Sequence, residues 1–134
     1  MPRKTDSLNP ADWLWIVRSD LDRIRLAVAD EVSFVGARSK LAEDLEKLVK
    51  AELIRSGWRL EKTHDLDRLL DALKLRDPEL ATRAEPICDS LAEAYLLDRY
   101  PGYDLGDPDW PRFRNELTQV EAPLAAVEAR IPPP

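Results

Sequence analysis

Apolar residues return along this chain at three- and four-residue steps, the spacing that places side chains on one face of an α-helix. Over 10–31 the stripe is Trp13, Ile16 or Val17, Leu21, Ile24 and Val28, with Asn9 placed to cap the helix and Pro10 at its first position. Trp15 lies off that stripe; two neighbouring positions cannot both face one core, so at least one of Trp13 and Trp15 belongs to the surface or an interface. A second helix is predicted from 34 or 37 to 55, with Leu41, Leu45, Leu48, Leu53 and Ile54 inward and Gly57 as its stop.

Residues 56–62 read as a connector, after which Thr63 is predicted to cap a third helix carrying Leu66, Leu69, Leu70 and Leu73 and ending near 74. A fourth spans 78–99 with Leu80, Ala84, Ile87, Leu91, Ala94 and Tyr95 inward, kinked or restarted at Pro86. The stretch YPGYDLGDPDWP at 100–111 has too many breakers for regular structure. A last helix follows over 111–130 with Phe113, Leu117, Val120, Leu124 and Val127, its break expected at Pro123. The pattern predicts an all-α chain, an antiparallel bundle of four to five helices.

Length and composition narrow that picture. With 134 residues the chain suits one domain, a core over about 10–130 with tails at 1–8 and 131–134. The formal charge is −6, so no broad positive field draws nucleic acid or an anionic membrane. That charge is uneven: positions 1–67 carry a net of −1 and positions 68–134 a net of −5, which places any basic site in the first half. Cys88 is alone, so neither an intrachain disulfide nor a cysteine-based metal site is expected, and its apolar helical context predicts an inert buried thiol in a reducing compartment. The opening MPRKTDSLNP has no apolar run and nothing approaches 18 apolar residues, so we expect no membrane contact and a cytoplasmic protein; no motif implies a cofactor.

Within the first half, Lys47 and Lys50 share a helix face, and Glu43–Lys47 and Glu46–Lys50 have the favourable i, i+4 order. That pattern predicts a solvated, self-paired face; the alternative is phosphate contact, because Arg55, Arg59 and Lys62 follow and make this the most basic stretch of the chain. For His64 three readings stand: a structural hydrogen bond that fixes the connector, contact with a ligand or RNA, and general acid–base chemistry. Arg99 closes the fourth helix and either pairs with a carboxylate such as Glu46 or Asp65 or recognises phosphate. Tyr100, Tyr103 and Trp110 stack on bases or, the favoured reading, cover a core edge or a dimer seam.

Three motifs occur in order: Glu46, Lys47, Lys50 and Ala51 on the second helix, Lys62-Thr63-His64-Asp65-Leu66 opening the third, and Arg99-Tyr100-Pro101 closing the fourth. Together they resemble the HEPN family (higher eukaryotes and prokaryotes nucleotide-binding), over about 12–128. It departs at Ser39 to Glu43, where many relatives carry an aromatic, a histidine and paired glutamines.

The resemblance implies a helical bundle that forms a homodimer, binds nucleotide or RNA, and works with a minimal nucleotidyltransferase in a toxin–antitoxin or helper role. On its motifs, nucleotide or RNA contact falls to Lys47, Lys50, Lys62, Arg99 and Tyr100, and supporting polar roles to Glu46, Thr63 and Asp65. Some branches are metal-independent ribonucleases using an Arg and a His with four to six residues between them. Here the matching Arg99 is followed at that distance by Asp104, Leu105 and Gly106, none an imidazole. A ribonuclease would therefore rely on Arg99 with His64, and a non-catalytic interaction module is the third alternative.

Overall fold

The computed structural model of the protein describes residues 7–94 and 106–132. Among them are five helices and no strand: α1 (Pro10–Asp30), α2 (Phe34–Arg55), α3 (Leu66–Arg76), α4 (Pro78–Leu91) and α5 (Trp110–Glu128). The all-α expectation holds. Asn9 accepts a hydrogen bond from the Ala11 amide at 3.1 Å, while the turn after α2 places Gly57 at φ +91°, where a glycine costs least.

Four local expectations change, the first being that α4 stops at Leu91 instead of running on to 99. The residue that caps α3 is Asp65, not Thr63: its Oδ1 accepts from the Asp67 and Arg68 amides at 3.0 and 3.3 Å. Thr63 acts one step earlier, its hydroxyl accepting from the Asp65 amide at 3.2 Å, because a carboxylate next to the first turn also gains from the helix dipole. The helix then runs on to Arg76. Pro86 and Pro123 lie inside α4 and α5, which continue through them. Each proline removes one amide donor, and burial of Ala84, Ile87 and Cys88 around the first and Val120, Leu124 and Val127 around the second holds the path.

The core explains the order of the elements. α2 packs against each of the other four helices. Leu14, Val17, Leu21 and Ile24 of α1 meet Leu41, Leu45 and Leu48 of α2 in one buried cluster that also takes Phe113 from α5. Val17 rather than Ile16 is the inward residue, and of the two tryptophans Trp13 is buried and Trp15 is 63% exposed. Trp110 covers one end, edge-on to Phe34 at 5.1 Å and stacked on Phe113 at 5.8 Å.

Polar ties cross this core. Arg38 of α2 holds the buried Glu116 of α5 with two bonds at 2.7 and 2.8 Å and reaches the Ser90 carbonyl of α4 at 2.7 Å. At the far end of α2, Arg55 and Arg130 both bond the buried Glu52, and Arg130 also pairs with Asp77. Arg55 is thereby spent on Glu52 rather than on the cleft described next.

Candidate functional site

A cleft of about 350 Å³ opens where the middle of α2 meets the start of α1 and the connector before α3; Trp13, Glu46, Lys47, Lys50, Lys62 and His64 line it. Its inner wall is set by α1. The Trp13 indole donates Nε1–H to the Ser7 carbonyl at 2.8 Å, which fixes the ring, and the Lys50 ammonium sits 5.6 Å from the ring centroid.

Glu46 is the hub. Its carboxylate accepts from Lys50 Nζ at 3.0 Å and meets His64 Nδ1 at 2.9 and 3.1 Å. Glu46 is 6% exposed and Lys50 4%, so the pair is buried, contrary to the solvated face that its i, i+4 spacing predicts. The reason is tertiary: with neighbours on all sides, α2 has little solvated face to offer, and 13 of its 22 residues are buried. A buried carboxylate needs such donors, since each ion leaves water at a cost that only close pairing offsets. The connector supplies the second donor. The Thr63 and Asp65 bonds fix the turn into α3, and His64 between them turns its Nδ1 toward Glu46, leaving its side chain 64% exposed.

Lys47 and Lys62 carry the charge that faces the opening. Lys47 is loosely tied to Glu43 at 4.0 Å, and Lys62 makes no ion pair among the described residues. Counting Lys50 against Glu46 as a neutral pair, the cleft has two cations to offer an anion, plus an oriented imidazole. No group of three or more His, Cys, Asp or Glu able to hold a metal occurs among the described residues.

Of the positions singled out by sequence, Glu46, Lys47, Lys50, Lys62 and His64 come together here. Thr63 and Asp65 shape the connector without lining the cleft, and Arg99 and Tyr100 lie outside the described residues. Trp13 carries no sequence mark of a cleft wall; its inward place on the α1 stripe fits a plain core residue, and nothing local marks Lys50 as its neighbour.

The family model for the HEPN domain matches residues 11–128. The chain belongs to the HEPN family. No curated protein and no solved structure matches it. Every residue lining the cleft lies within the HEPN match, and at family level HEPN membership makes this a nucleotide- or RNA-related helical protein. No helix among the described residues is long and apolar enough to cross a membrane.

Proposed function

We propose that this HEPN protein binds nucleotide or RNA phosphate in the Trp13–Glu46–His64 cleft, as a homodimer that serves a minimal nucleotidyltransferase partner in a toxin–antitoxin or helper role. The observation that carries the reading is the division of labour in the cleft. Glu46 neutralises the one buried lysine, so Lys47 and Lys62 keep their charge for an external anion. On a chain of net −6 an anion is best met where cations gather, and all six residues lining the cleft belong to the half of net −1.

Anisotropy of a labelled single-stranded RNA, with ATP as competitor, tests it. Lys47→Glu with Lys62→Glu weakens binding by at least about tenfold and lowers the salt dependence by roughly one unit of log–log slope per lost phosphate contact. Equal affinity and equal salt slope in both proteins would refute the site. A light-scattering mass of about one chain would refute the dimer, and failure to co-purify with a co-expressed minimal nucleotidyltransferase would refute the partner.

One observation favours a second reading. An imidazole whose Nδ1 is held by a buried carboxylate is oriented for proton transfer, which suits a metal-independent ribonuclease using His64 with Arg99. In that case Arg99→Ala and His64→Ala each abolish RNA cleavage seen with the wild type. RNA left intact by the wild type excludes it.

A further inference from the structure

Asp44 of α2 is 0% exposed, and no donor group reaches either of its carboxylate oxygens. On α1, Asp20 presents an Oδ2 that is likewise buried and that no donor group reaches. The nearest cations do not resolve this, because neither Lys40, which lies 3.1 Å from Glu43, nor Lys47 donates a hydrogen bond to either Asp44 oxygen. Two ionised carboxylates in this position would lose their hydration and repel one another, with no donor to offset either cost. A single proton changes the arithmetic, turning two acceptors into a donor and an acceptor.

We propose that Asp20 and Asp44 share one proton, forming an acid–carboxylate clasp between α1 and α2 that is released as the medium becomes alkaline. Burial, then the hydrogen bond to Asp20 and its charge, pushes the Asp44 carboxyl up to about 9, while Lys47 and Lys40 act in the opposite sense. The charged groups facing Asp44 are therefore Asp20 from α1 and Lys40 and Lys47 from α2. The clasp bears on the cleft, since α1 carries Trp13, α2 carries Glu46 and Lys50, and Lys47 both lines the cleft and acts on Asp44.

The sign follows from linkage. An unfolded aspartate ionises near pH 3.9, roughly, whereas the folded chain keeps the proton until about pH 9. Between those values folding takes up one proton, so stability falls as pH rises and levels off above the folded value. One proton corresponds to at most about a tenfold rise in the unfolding constant per pH unit.

Urea unfolding of the full chain between pH 6 and 9.5, for wild type, Asp44→Asn and Asp20→Asn, reads this directly. Asparagine donates from its amide without needing a proton, so the variants lose that share of the pH slope and, at pH 8, unfold less readily than wild type. Carbon-13 titration of the wild-type carboxyls, which needs no variant to fold, shows one aspartate titrating far above the rest. Equal pH slopes in all three proteins, or every aspartate titrating below pH 5, overturns the clasp. A wild-type urea midpoint raised by magnesium or calcium, with no rise in Asp44→Asn, overturns it in favour of a bound cation.

Discussion

Replacing Glu46 by Gln removes the charge on which the cleft is organised while keeping its shape. The Lys50 ammonium is then left 4% exposed with only an amide carbonyl in reach, and the Trp13 face offers a weaker attraction at 5.6 Å. Breaking one side of a buried pair costs about 3–5 kcal/mol. The retained carbonyl places Glu46→Gln at the lower end, about 3 kcal/mol, or roughly a 10 °C fall in Tm for a chain of this size. Lys50→Met costs less, about 1–2 kcal/mol, because His64 Nδ1 still serves the carboxylate at 2.9 Å. The double variant has no stranded ammonium and lies within about 1 kcal/mol of wild type, an energetic coupling that a double-mutant cycle in urea measures. A Glu46→Gln loss below about 0.5 kcal/mol, or a double variant whose loss equals the sum of the singles, would refute the buried hub.

Phe113 is fully buried and its ring centroid lies 5.5 Å from that of Phe34 in an edge-on pair, so Phe113→Ala lowers the unfolding free energy by about 3–5 kcal/mol, read from the urea midpoint. Burial pushes the Cys88 thiol up to about 12, so a thiol reagent at pH 8 leaves the native protein unmodified and reacts stoichiometrically once urea unfolds it. Gly57 stands at φ +91°, and Gly57→Ala destabilises by about 1 kcal/mol in the same melt although a Cβ there meets open space.

What the sequence revealed and what it hid divide along one physical line. Signals that act within a turn were legible: Asn9 and Pro10 start α1, Gly57 stops the turn after α2, and the leucine spacing of α2 and α3 faces the core. Where two signals of one kind compete, as Thr63 and Asp65 do for the α3 cap, spacing alone does not choose between them. Prolines 86 and 123 look like breaks until the packing on either side is known. The cleft shows the same limit. Its lysines and His64 were marked by their motifs, but the burial of Lys50 follows from α2 lying at the centre of the bundle, and the Glu46–His64 bond joins positions 18 apart. The buried Asp44 has no signature at all, because an aspartate at an inward helix position differs from an outward one only through its neighbours.

Amide chemical-shift mapping tests most directly whether phosphate binds in the cleft. Titration of the nitrogen-15-labelled protein with a short single-stranded RNA is predicted to shift Trp13, including its indole N–H, together with Lys47, Lys50, Lys62 and His64 and little of α5. Shifts centred on α5 or on the outer face of α1 around Trp15 and Leu26, with the cleft unmoved, would contradict it.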